Sequence, residues 1–167
     1  MSASLSSLPL SPGRPEDIRP GEQAVALPPG FDAGLYFIGR IRTPFADRAA
    51  CPKRALPDGP VCTLELDARW ADALTGVAAG SRAQVLYWMD RARRDLVLQS
   101  PRRDGTTTGT FSVRSPVRPN PIASSIVEVV AVDGLRVSVR SLDCVDGTPL
   151  LDLKPDYCGF AHAPGAE

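Results

Sequence analysis

The sequence predicts a mainly β protein: a small antiparallel β-barrel, closed, with one or two short helices and a disordered N-terminal tail. Three observations predict it. Short β-branched and aromatic runs recur with turn residues between them, one segment alone has helical spacing, and no strand–helix–strand rhythm calls for a parallel sheet. Among 167 residues, 17 prolines and 14 glycines set against 6% aromatics favour turns over long helices.

Residues 1–31 are rich in Ser, Pro and Gly without sustained periodicity, and bury too little apolar surface to offset their ordering. They are expected as a disordered tail or an extended arm. The barrel is expected over 32–160, with 161–167 a flexible end. Leu35–Arg42 is a β-rich run stopped by Thr43-Pro44, and Val61–Leu66 is a second strand. Asp67 is placed to N-cap a short helix that carries Trp70, Ala73 and Leu74 on one face. Ala83–Met89 is continuously apolar, as in a strand buried on both faces. Asp133-Gly134 then separates two β-branched runs, a strong hairpin cue, and Leu135, Val137 and Val139 alternate with Arg136, Ser138 and Arg140. Leu150–Leu153 follows the Asp146-Gly147 turn as the last strand.

Composition excludes several chemistries. His162 is the single histidine, so a Ser-His-Asp triad, a Cys-His dyad or a histidine-ligated zinc would each have to use it. Cys51, Cys62, Cys144 and Cys158 show no CxxC spacing and read as buried or free thiols in a reducing compartment. Neither GxGxxG nor GxxxxGK[ST] occurs. No metal site is expected. No apolar run approaches the ~18 residues of a membrane span, and the N-terminus lacks a basic start and apolar core. The expectation is a soluble cytoplasmic protein that engages no membrane.

Charge totals zero but is unevenly spread. From Arg91 to Arg118, seven arginines face two aspartates, a local charge of +5; from Pro119 onward seven acids face three bases, a charge of −4. The basic segment either contacts phosphates or is a solvated face of an arginine-biased chain. Within it, Arg114-Ser115-Pro116-Val117-Arg118-Pro119-Asn120-Pro121-Ile122 is stiffened by three prolines. Such a stretch is either preorganised for a planar or anionic ligand or a plain proline-rich connection. Farther on, Asp143-Cys144-Val145-Asp146-Gly147-Thr148-Pro149 makes a tight turn into a strand where Asp152 needs a partner, Lys154 or Arg114.

IGRIRTPF, CPKR, RSPVRPNPI and LDCVDGTPLLDLKP occur in the order found in the TsaA-like family, which the chain resembles over roughly 34–157. The best-known members are tRNA (adenine-N6)-methyltransferases that use S-adenosylmethionine to methylate the threonylcarbamoylated adenosine beside the anticodon. The resemblance implies a small dimeric antiparallel barrel, S-adenosylmethionine as cofactor and a tRNA anticodon stem-loop as partner. Carried over, the cofactor positions are Pro52, Lys53, Arg54, Asp90, Arg91, Arg114, Ser124, Cys144, Val145, Asp146 and Gly147. The family usually has Pro-Arg-Gln where Pro52-Lys53-Arg54 stand, and His-Gln where Asp90-Arg91 stand. Substrate contacts are expected from Arg93, Arg94, Arg118, Asn120 and Lys154, and Asp146 is the catalytic candidate. Because a sulfonium methyl is already activated, alignment carries most of the chemistry, and the amine's proton leaves to water, to Asp146 or to a backbone carbonyl. The alternative from another class is a cofactor-binding barrel with a small-molecule substrate or a sensing role.

Overall fold

The structure is a computed structural model that describes residues 18–156; Tyr157, Cys158 and His162 lie outside the described residues. Nine strands form in chain order: β1 (Gln23–Ala24), β2 (Gly39–Arg42), β3 (Cys62–Leu66), β4 (Arg82–Trp88), β5 (Leu96–Gln99), β6 (Thr108–Gly109), β7 (Ile122–Asp133), β8 (Arg136–Arg140) and β9 (Thr148–Pro155). The chain divides into two compact units, one of residues 32–90 and 122 onward, the other of 91–121 with the segment up to Phe31. The stretch expected as one barrel domain is therefore interrupted between β4 and β7.

The first unit is a closed barrel in the order β2-β3-β8-β7-β4-β9, antiparallel at every junction. Period-two alternation makes it. Cys62, Leu64 and Leu66 of β3, Ala83, Val85 and Tyr87 of β4, and Val137 and Val139 of β8 point inward and are buried. Ile41, Val127, Val129 and Leu150 complete that core. Val130 is extra in β7, between Val129 and Ala131, and Leu151 is extra in β9 opposite Leu86–Tyr87. Such bulges sharpen strand bending, and a 12-residue β7 must bend to follow a small barrel.

Several expectations shift in the structure. The strand read from Leu35 begins only at Gly39, because the chain beyond β3 turns at Asp67 into a 3₁₀ helix and leaves Leu35 and Tyr36 exposed without a partner. That helix, Ala68–Leu74, has Asp67 in extended conformation at its start but gains no side-chain cap; Trp70 and Leu74 pack on the core. β4 is not buried on both faces: Gln84, Leu86 and Trp88 on its outer face are half-buried, since a barrel wall has one interior. The hairpin turn is Gly134–Leu135, one residue later than Asp133-Gly134, because Asp133 pairs with Arg136. Gly134 supplies the positive φ (54°) such a turn requires at its first position.

The second unit is a three-stranded sheet, β1-β5-β6. Of the segment expected as a tail, 1–17 lie outside the described residues, while Gln23 and Ala24 pair with Leu98 and Leu96. Glu22 fastens this pairing. Its side chain is 5% exposed, and its oxygens accept the Arg19 and Ser100 N–H groups, each at 3.0 Å. A buried carboxylate is tolerated because both oxygens are satisfied. Gln99 crosses beneath, its Nε2 donating to Thr110 Oγ1 at 2.9 Å and to the Val117 carbonyl at 2.7 Å.

Barrel closure makes one steric prediction. A Cβ at Gly39 would lie 2.0 Å from the Glu65 carbonyl oxygen. Gly39→Ala should therefore cost about 1–3 kcal/mol or more, as overpacking does, whereas Gly34→Ala, with open space around it, should be neutral. Urea denaturation of the two variants beside wild type measures the difference.

Candidate functional site

At one end of the barrel, the connections after β2 and after β8 meet. Asp146 N–H donates to the Phe45 carbonyl and Gly147 N–H to the Ile41 carbonyl, both at 2.8 Å. Thr43 is the hinge of this contact. Its N–H donates to Asp146 Oδ1 at 3.1 Å, and its hydroxyl donates to the Cys144 carbonyl at 2.9 Å while accepting the Phe45 N–H at 3.2 Å. Arg42 adds a cation 3.5 Å from Asp146 Oδ2 and bonds Glu65 at 2.7 Å. That bond holds the Glu65 carboxyl below its usual range. Arg40 donates to the Gly147 carbonyl at 2.9 Å, and Gly147 takes the left-handed φ of 78° that a tight turn allots to glycine.

Beneath the turn lies a half-buried polar relay centred on the buried Tyr87. Tyr87, at the end of β4, donates to Asp143 Oδ1 at 3.1 Å and lies 3.0 Å from Ser125 Oγ. Burial pushes the Tyr87 phenol above its ordinary value, so it keeps the proton that Asp143 accepts. Burial likewise raises the Cys144 thiol, to about 12, so this cysteine is a neutral packing residue and no nucleophile. The Cys51 thiol is raised by burial first and then by Asp143 and Asp47.

The sequence-derived positions fall as follows. Cys144, Val145, Asp146 and Gly147 form the latched turn; Pro52 is half-buried and Lys53 and Arg54 are exposed in the connection after β2. Asp90 is exposed just past β4, its N–H turned back to the Trp88 carbonyl. Ser124 stands on the outer wall opposite Leu86, where Gln84 Nε2 donates to it at 2.8 Å. Its neighbour Ser125 is the serine that faces inward. Lys154 pairs with Asp152 on β9, settling that acid's partner in favour of lysine over Arg114.

The other predicted residues belong to the second unit, where the seven arginines divide. Arg93 grips Asp95 with two bonds of 2.8 Å, their side chains 9% and 16% exposed. Arg94 donates to the Pro119 carbonyl and lies over the Phe31 ring, 5.2 Å from its centre; Asn120 Oδ1 is 3.4 Å away. Arg118 reaches the Thr110 and Val113 carbonyls, each at 3.2 Å. Arg91, Arg102, Arg103 and Arg114 are exposed, and their guanidinium groups have no hydrogen-bond or ion-pair partner among the described residues.

Thr43, Arg42, Tyr87, Ser125 and Asp143 were not singled out from sequence. Thr43-Pro44 carried a signal, since a threonine hydroxyl before such a turn readily accepts the N–H two residues on. The long-range partners of the other four have no local signature.

A closed antiparallel barrel with a latched, glycine-containing turn and a basic loop at one end defines the class. A family model described as the tRNA-methyltransferase O N-terminal domain matches residues 40–161. The chain belongs to this family, as the TsaA-like resemblance implies. A probable S-adenosyl-L-methionine-binding protein VirR of Rhizobium radiobacter is 55% identical over 83% of this chain and 79% of its own. The tRNA (adenine(37)-N6)-methyltransferase of Escherichia coli is 38% identical over 75% of this chain and 58% of its own. The crystal structure of TrmO from Pseudomonas aeruginosa superposes with a TM-score of 0.61 at 29% identity, covering 80% of this chain and 59% of that one. The chain thus spans about three-fifths of the latter two proteins.

The Arg93–Asp95 pair yields a pH prediction. The bond to Arg93 lowers the Asp95 carboxyl, so its stabilisation is complete above the usual aspartate value of about 3.9 and is lost as pH falls through the lowered one. Asp95→Asn should cost on the order of 2 kcal/mol near pH 7. Its deficit in melting temperature should shrink from about pH 5 toward pH 2. Circular dichroism melts at several pH values check both signs.

Proposed function

We propose that the protein is an S-adenosylmethionine-dependent methyltransferase acting on N6 of the threonylcarbamoylated adenosine beside the tRNA anticodon. The observation that carries the reading is the latched turn of Cys144–Gly147, fixed by Thr43, on a barrel of this family. The donor set suits such a cofactor. Lys53 and Arg54 offer cations for its carboxylate. The Asp146 side chain, 41% exposed and fixed by Thr43 and Arg42, keeps lone pairs for an ammonium or ribose hydroxyls. The names of two relatives, one for S-adenosyl-L-methionine binding and one for tRNA adenine methylation, support the same assignment.

The bound cofactor would supply a methyl group already activated on sulfur. The chain's own residues then need only hold donor and amine in line, a contribution worth an effective molarity of about 10⁵–10⁸ M. Asp146 acts here as a fixed orienting group, since a carboxylate held from two sides loses little freedom on binding. The exposed arginines 91, 102, 103 and 114 hold the RNA through its phosphates, which gives Arg91 and Arg114 a substrate contact where the family resemblance implies a cofactor contact. Arg93, Arg94 and Arg118 shape the surface that presents them.

Three measurements test this. In titration calorimetry with S-adenosylmethionine, Asp146→Ala should weaken binding about 10- to 100-fold, the worth of one charge-assisted hydrogen bond. Thr43→Val, which loosens the turn and keeps the charge, should weaken it less; equal losses would reduce Asp146 to a turn residue. For RNA, three or four phosphate contacts predict that affinity falls on the order of 20- to 150-fold from 50 to 200 mM salt. The double change Arg102→Ala with Arg103→Ala should flatten that slope and leave donor binding intact. A flat response in wild type would favour a small-molecule substrate. Methylation of threonylcarbamoylated tRNA against the unmodified transcript identifies the base.

A further inference from the structure

The second unit carries a feature that phosphate binding leaves unused. Phe111 sits on the 3₁₀ turn Thr110–Ser112 with 83% of its surface exposed. Beside it opens a crevice of about 290 Å3 walled by Leu96, Val97, Thr110, Phe111 and Pro119. That volume is at or below the ~300–1,000 Å3 of sites that enclose drug-sized ligands, and suits one planar ring better than a whole cofactor. Its walls are held from behind. Arg118 bonds the carbonyls of Thr110 and Val113 on either side of Phe111, Arg94 bonds that of Pro119, and Gln99 fixes the Thr110 hydroxyl. The platform is rigid, apolar and set in the most basic stretch of the chain.

We propose that this crevice takes one unstacked nucleobase of a single-stranded RNA loop against the Phe111 ring; the inference rests on the tRNA reading above. Apolar exposure with a local charge of +5 matches a loop, whose splayed bases need a face to stack on and whose phosphates need cations. A paired stem offers no free base face. An apolar peptide would use the crevice but not the four exposed arginines. Phe111 is thus a specificity residue for unpaired RNA.

The test is fluorescence anisotropy with an anticodon stem-loop and with a fully paired duplex of equal length, at one salt concentration. Phe111→Ala, at an exposed position that leaves the fold intact, should weaken the stem-loop roughly 5- to 100-fold. It should leave duplex binding and the salt slope unchanged. Phe111→Trp should retain affinity, and its new indole should be quenched by the loop and not by the duplex. Stem-loop affinity unchanged in Phe111→Ala, with wild type binding normally, would overturn the crevice alone. A wild type that binds neither RNA at 50 mM salt would overturn it together with the tRNA reading. Loss of self-association in Phe111→Ala with unaltered RNA affinity would make the crevice a contact between copies and overturn it as well.

Discussion

Barrel closure rests on β2, whose four residues must satisfy two neighbours at once. Gly39 faces Leu66 on one side and Leu150 on the other, and Ile41 faces Leu64 and Thr148. The backbone of β3 passes so near that only hydrogen fits at position 39. With β2 pinned from both edges, alternation does the rest: Ile41 enters the core, Arg40 and Arg42 face out, and Thr43 arrives where the chain after β8 returns. The turn that the cofactor reading depends on is positioned by the same short strand that seals the sheet.

Two kinds of polar order are stacked at that end. Inside, the buried Tyr87 hydroxyl joins the half-buried Ser125 and Asp143, a network with little freedom to rearrange. Outside, Asp146, Arg42 and Glu65 are solvated and individually weak. The inner set fixes where the turn begins, and the outer set orients its charges toward solvent, where a ligand would approach. Among the described residues no cluster of His, Cys, Asp or Glu is placed to hold an ion.

Much of the barrel was legible because its strands alternate cleanly. Val137 and Val139, or Leu64 and Leu66, announce an inner face on their own. The errors fall where a partner decides the outcome. Leu35 and Tyr36 have strand-forming side chains but no strand to pair with, and Leu86 and Trp88 are apolar yet only half-buried on the outer side of the wall. At the site, motif spacing located the Cys144–Gly147 turn, while the residues that brace it come from β2, β4 and β7 and are invisible to local reading. The arginine-rich stretch was legible as charge. Which arginines face solvent was not, since Pro119 and Thr110 claim Arg94 and Arg118 only once the chain has folded back on itself.

The second unit is assembled from pieces far apart along the chain, and this bears on how the protein is made. Glu22 meets Ser100 across 78 positions, and Arg40 of the barrel meets Gly147 across 107. Pairings of such long range slow folding, because the intervening chain must be gathered before any contact rewards it. During synthesis β1 and β2 both emerge early and wait for partners made much later, β5 for the one and β9 for the other. Until then Ile41 and the edges of two short strands stand open to solvent, the state in which nascent β proteins most need shielding by chaperones.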